Sequence, residues 1–160
     1  MGTGIVIWSK KPVKNKKITF DLLSAAYDSH FRIFLDSYRD SDSKSPEKYL
    51  INELTFGYKD EGMVFHISSY EEQFLIKENG GELWKDLEFN DINNAKVIEP
   101  ILYRLALSGW HADEMQFHFI YNYLKLNKNH IITNGNFLID WQMIKSLYSK
   151  GYFENCLYQH

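Results

Sequence analysis

The stretch from Leu54 to Ile67 limits the fold more than any other part of the chain. Leu54-Thr55-Phe56-Gly57-Tyr58 and Met63-Val64-Phe65-His66-Ile67 are rich in aromatic and β-branched residues, and the Gly-containing turn Lys59-Asp60-Glu61-Gly62 separates them. That pattern predicts a β-hairpin. Gly4-Ile5-Val6-Ile7-Trp8, short and bounded by Gly and Ser, reads as a further strand. Around these strands the apolar period lengthens. Phe20, Leu23, Tyr27, Phe31, Phe34, Leu35 and Tyr38 recur at three- and four-residue steps. They predict a helix of about five turns with Thr19 as its N-cap, and Phe20, Phe31 and Phe34 as core residues.

Other signals are local. After the polar run Asp40–Ser45, Ser45-Pro46 predicts a short helix reaching about Glu53. Ser69-Tyr70-Glu71-Glu72 matches a capping box, and Asn79-Gly80-Gly81 closes the helix that it opens. Asp91 heads a pattern of Ile92, Ala95, Ile98, Leu102 and Leu105, which Pro100 breaks or kinks. Residues 115–126 fit two periods: Phe117, Phe119, Tyr121 and Tyr123 alternate as in a strand, while Met115, Phe119, Tyr123 and Leu126 follow a helix. The helix-start residues Ala112-Asp113-Glu114 favour the second. Asn134-Gly135-Asn136 is a turn. Asp140 caps a last helix through Trp141, Ile144, Leu147 and Tyr148, and Gly151 ends it. The expectation is one compact α+β domain over residues 1–160, with several helices packed on a small, largely antiparallel sheet.

A chain of 160 residues, 44% hydrophobic and 24% charged, has the composition of a globular protein. No apolar run approaches the roughly 20 residues of a membrane span. The single Cys156 has no disulfide partner, which fits a reducing compartment. The apolar run at Ile5–Trp8 precedes the lysines, the reverse of a signal peptide, and Val6 stands where myristoylation after Gly2 wants Ser or Thr. A cytoplasmic protein without a lipid anchor is expected.

The net charge of −3 conceals an uneven distribution. Residues 1–17 carry Lys10, Lys11, Lys14, Lys16 and Lys17 and no acid. Residues 18–100 hold 17 acidic and 8 basic residues, and residues 101–160 hold 4 and 5. Asp40, Asp42, Glu47, Asp60, Glu61, Glu71, Glu72, Glu78, Glu82, Asp86 and Glu88 supply most of the acidic block. Such a block keeps a surface solvated. It also repels nucleic-acid phosphates and attracts a basic partner. Aromatic residues make up 16% of the chain. Tyr49, Tyr58, Tyr70 and Trp84 lie among these carboxylates, and Tyr and Trp surrounded by charge are the composition of a protein-binding surface.

Motifs for chemistry are sparse. Of six histidines, only His111 and His118, with Glu114 between them, approach metal-ligand spacing, and they match no zinc signature. No Gly-x-Ser-x-Gly elbow or phosphate-binding Gly-rich loop occurs, and Gly2-Thr3-Gly4 precedes a strand instead of following one. Adjacent carboxylates such as Asp113-Glu114 point in different directions on a helix. Cys156 reads as a packing residue. No catalytic residue, metal or cofactor is assigned.

Phe74-Leu75-Ile76-Lys77-Glu78-Asn79-Gly80-Gly81 resembles a segment of the SMI1/KNR4-like (SUKH) family, an α+β family with many bacterial immunity proteins that neutralise a cognate toxin. More broadly, the chain is similar in type to immunity proteins of contact-dependent inhibition and polymorphic toxin systems. The resemblance implies a non-enzymatic inhibitor that occludes the active site of a basic toxin domain, for instance a nuclease, and contacts neither nucleic acid nor membrane. The binding surface would comprise Asp40, Asp42, Glu47, Tyr58, Asp60, Glu61, Tyr70, Glu71, Glu72, Glu78, Glu82, Trp84, Asp86 and Glu88. Two alternatives stand beside it: a phage or mobile-element inhibitor of a host defence protein, and a metal-independent nuclease using His and Lys, with His66 or His118 as the test.

Overall fold

β1 (Val6–Ser9) lies inside a seven-stranded sheet, and all four of its residues are buried. The computed structural model describes residues 4–34, 39–40, 49–78, 103–134 and 137–158. After β1 come α1 (Asn15–Asp28), β2 (Arg32–Phe34), β3 (Arg39–Asp40), β4 (Tyr49–Leu50), β5 (Glu53–Tyr58), β6 (Glu61–Ile67) and α2 (Tyr70–Glu78). The chain continues through β7 (Tyr103–Ser108), α3 (Asp113–Leu126), β8 (Ile131–Thr133), β9 (Leu138–Ile139), α4 (Trp141–Lys150) and a 3-10 turn at Cys156–Tyr158. The sheet order is β2-β5-β6-β7-β1-β8-β9, with every neighbouring pair antiparallel. β3 and β4 form a separate two-stranded ribbon. The protein is a single α+β domain, four helices with an open antiparallel sheet among the described residues. No described helix is long and apolar enough to cross a membrane.

The hairpin forms as expected, with Tyr58 paired to Glu61 across a two-residue turn at Lys59-Asp60. Lys59 takes the left-handed conformation, φ 51°, which costs a non-glycine residue roughly 1–2 kcal/mol. α1, α3 and α4 pack in sequence on one another. Phe119 of α3 meets Phe65 and Phe56 of the hairpin at ring-centroid distances of 4.8 and 6.4 Å. The two periods of residues 115–126 resolve as a helix, in which Met115, Phe119 and Tyr123 are all fully buried. Asp140 caps α4 by accepting from the Met143 N–H at 2.9 Å, and Gly151 follows with φ 80°. The capping box is complete: Ser69 Oγ accepts from the Glu72 N–H at 3.1 Å, and Glu72 Oε2 accepts from the Ser69 N–H at 2.8 Å.

Four expectations are corrected. First, α1 spans Asn15–Asp28, with Lys14 and not Thr19 at its N-cap, and β2 follows where the helix was expected to continue. A Schellman motif stops it: the Phe31 N–H reaches the Ala26 carbonyl at 2.9 Å, the His30 N–H reaches Tyr27 at 3.0 Å, and His30 sits at φ 59°. Second, α1 buries Ile18, Thr19, Leu22, Ala25 and Ala26, while Phe20 is 58% and Tyr27 75% exposed. Small alanines on the inner side let α1 approach α3 closely, and that contact selects the face. Phe31 is core as expected, whereas Phe34 on edge strand β2 is exposed. Third, Tyr49–Leu50 and Glu53 lie in strands, not a helix, because Glu53 pairs with His66 and Tyr49 with Asp40. Fourth, Leu105 belongs to β7, not a helix. The expected helix end at Asn79–Gly81 and the pattern from Asp91 to Leu102 lie outside the described residues.

One buried side chain ties the first loop to α2. Gln73, fully buried, accepts the Val13 N–H through Oε1 at 2.8 Å and donates through Nε2 to the Val13 carbonyl at 2.7 Å. Gln73→Ala strands both backbone groups, so unfolding stability is expected to fall by about 1–3 kcal/mol, read from the urea midpoint at constant m-value.

Candidate functional site

The described part of the acidic block divides into two groups. Asp60 and Glu61, both exposed, occupy the hairpin turn and the start of β6. Tyr70, Glu71 and Glu72, also exposed, open α2 beyond the far end of that strand. A seven-residue strand spans about 20 Å, so the hairpin does not bring the groups together. Asp40 lies in β3 and Glu78 ends α2. Asp42, Glu47, Glu82, Trp84, Asp86 and Glu88 lie outside the described residues.

The α2 group has a defined geometry. Tyr70 and Phe74 share a helix side four residues apart, in edge contact at 5.2 Å, and Phe74 in turn meets Tyr103 of β7 edge-on at 5.5 Å. Tyr70 is 40% and Phe74 38% exposed. Glu71 and Glu72 fall in the first helical turn, where the positive end of the helix dipole favours carboxylates. Arg104 stands close enough for Glu72 to act on it: burial lowers the guanidinium pKa and the Glu72 carboxylate opposes that shift.

Tyr58 belongs to a different constellation. Its hydroxyl donates to Glu114 Oε1 at 3.2 Å, and its ring packs on Phe31 and on His118, with centroids 5.3 and 5.8 Å apart. Lys59 Nζ bonds Glu114 Oε2 at 2.6 Å. That bond raises the Lys59 pKa and lowers that of Glu114. Burial, with a contribution from Glu114, raises the Tyr58 hydroxyl. His118, one turn beyond Glu114, lies 3.9 Å from Oε1, too far for a hydrogen bond. Burial lowers its pKa; the Glu114 carboxylate opposes this, and Lys59 and His30 add to it. Behind this group Asp113 Oδ2 accepts from Tyr152 Oη at 3.2 Å and from the Asn155 N–H at 3.0 Å. Burial, with Asp113 alongside, pushes the Tyr152 phenol up to about 12. Lys59 and Glu114 are 55 residues apart in sequence, and no local pattern announces their pairing.

His111 and His118 do not share a helix face. His111 precedes α3 and is buried, its Nε2 sharing a hydrogen bond with Ser108 Oγ at 2.8 Å. Among the described residues, no three His, Cys, Asp or Glu side chains converge as metal ligands. His66 lies on the other side of β6, 3.5 Å from Glu53. Cys156 is buried in the 3-10 turn, and burial raises its thiol pKa. The sequence reading also missed exposed aromatics away from those carboxylates, among them Phe20, Tyr27, Trp110 and Phe153; solvent exposure leaves no trace in a helical period.

Comparison with protein-family models, curated proteins and solved structures gave no match to this chain.

Burial pushes His111 and His130 down to about 4 from an ordinary 6.5. Between those values these two groups bind more protons in the unfolded chain than in the folded one, so their contribution to stability falls as pH drops through that window and is constant below about 4. His111→Gln is expected to flatten the acid limb, measured as urea midpoint against pH.

Proposed function

We infer that the protein is an immunity-type inhibitor, which binds a cognate basic toxin domain and occludes its active site without catalysis of its own. The observation that carries this reading is the exposed Tyr70–Phe74 pair beside Glu71 and Glu72 at the start of α2. Rings braced from behind by Tyr103 lose little side-chain freedom on binding, which suits them as anchors. The carboxylates around them stand in for the phosphates of a nuclease substrate and steer a cationic partner inward. The resemblance of residues 74–81 to SUKH immunity proteins, which begins within α2, points the same way, and the inhibitor would act in the cytoplasm.

The test begins with the reading frame immediately upstream of this one. A toxin domain encoded there should arrest growth alone and lose that effect when this protein is co-expressed. Tyr70→Ala with Phe74→Ala should then speed dissociation at least about tenfold. Glu71→Lys should slow association, with the difference shrinking as salt rises. Unchanged rates in all these variants would remove this surface from the interface.

A second reading draws on the other cluster. His118, its pKa lowered by burial and with Lys59 and His30 acting on it, offers the His and Lys side chains of a metal-independent nuclease: a base and a phosphate-binding cation. RNA incubated with the purified protein in chelator would be cleaved under this reading, and His118→Ala would abolish the cleavage. No turnover by the wild type removes it.

A further inference from the structure

The rings of the α2 surface have a basic neighbour. Lys10 and Lys11 follow β1 directly, and both are exposed. Their loop is fixed at both ends to the elements that hold the rings. At one end Ser9 pairs with Tyr103, whose ring braces Phe74. At the other, Val13 is held through its N–H and its carbonyl by Gln73, the residue before Phe74. Between the two, Ser9 Oγ accepts the Lys11 N–H at 3.1 Å and donates to the Lys11 carbonyl at 2.6 Å. None of these bonds uses a lysine side chain. Among the described residues, no carboxylate pairs with either ammonium group.

A partner seated on Tyr70 and Phe74 meets this loop as well. A standard interface covers about 800 Å² on each side, a disc of roughly 16 Å radius. Paired strand residues stand about 5 Å apart, and the Tyr103 and Phe74 ring centroids are 5.5 Å apart. The path from Ser9 through Tyr103 to Phe74 is therefore on the order of 15 Å or less, and the loop enters the disc centred on Phe74. Its hydrogen bonds keep the backbone from swinging away. A toxin domain that is basic throughout would be drawn to Glu71 and Glu72 but repelled by Lys10 and Lys11 across the same contact, and like charges held face to face are costly. We propose that Lys10 and Lys11 belong to the toxin-binding surface and take carboxylates of the toxin domain, as Glu71 and Glu72 take its cations. This rests on the immunity reading of the α2 surface and adds the chemistry of its partner. The surface then selects as well as binds. A protein that is merely basic satisfies one border of the rings and is repelled at the other, whereas a toxin with an acidic group at the matching place satisfies both.

Stopped-flow association of the full chain with the toxin domain encoded upstream tests the proposal. Lys10→Glu with Lys11→Glu should slow association about tenfold at low salt, and the difference should shrink as salt rises. Lys10→Gln with Lys11→Gln should slow it by a smaller factor. Lys145→Glu with Lys150→Glu makes the same charge change at exposed positions of α4 and should not slow it. Faster or unchanged association of the Lys10→Glu, Lys11→Glu variant overturns the proposal, while the immunity reading stands wherever Tyr70→Ala with Phe74→Ala still speeds dissociation. Equal slowing by the α4 pair also overturns it, since net charge alone then accounts for the effect. If the toxin domain does not bind the wild type, the reading and the proposal fall together.

Discussion

The placement of β1 governs the rest of the structure. With Val6, Ile7 and Trp8 almost wholly removed from water, the strand must be covered on both faces and paired along both edges. β7 takes one edge and β8 the other. Side chains reinforce both seams: Trp8 Nε1 donates to Thr133 Oγ1 at 2.8 Å, and the Ile5 N–H donates to Ser108 Oγ at 3.0 Å. The approach at the strand's entry is so close that a Cβ on Gly4 would lie 2.5 Å from the Ser108 carbonyl oxygen. His111, bonded to that same serine, therefore helps to close the end of the sheet, which accounts for its burial. Since β7 leads into α3 and β8 leaves it, fixing both strands also fixes where the central helix crosses the hairpin.

What the sequence disclosed follows the range of each interaction. The capping box at Ser69, the Asp140 cap and the 54–67 hairpin were legible because each is completed within a few residues. The region from Arg39 to Glu53 was not. Its strands exist through pairings with Tyr49, Leu50 and His66, and a local Ser-Pro start signal could not weigh them. α1 misled for another reason. Two apolar stripes lie on that helix, and the aromatic one was the natural choice for the core. Close approach to α3 instead favoured the alanine side, and a left-handed His30 ended a helix whose apolar period ran on. The expected binding surface was legible as composition alone. Counting charge could not reveal that Asp60 and Glu71 lie at opposite ends of one strand, or that Tyr58 is tied to a glutamate 56 residues away.

The aromatic residues divide by layer more than by position in the chain. Phe117, Tyr121 and Tyr148 stack between α3 and α4, with the Tyr121 and Tyr148 ring centroids 3.5 Å apart and the ring planes nearly parallel. Phe56, Phe65 and Phe119 fill the space between helix and sheet. The rings left in water fall in separate places, on α1, on β2, on α2, on the loop before α3 and on the segment after α4. This separation gives the domain surfaces of different chemistry. The rings on α2 stand beside the carboxylates of its first turn, while the first turn of α1 carries none.

The two bonds from Gln73 to Val13 have a consequence for communication across the molecule. They join the backbone of the lysine-bearing loop to the helix that carries Tyr70 and Phe74, two segments 60 residues apart. Any ligand that holds α2 more firmly must also hold Val13, and any disturbance of the loop loosens α2. The amide proton of Val13 therefore serves as an internal gauge. Its exchange with solvent tracks how firmly a helix elsewhere in the chain is docked.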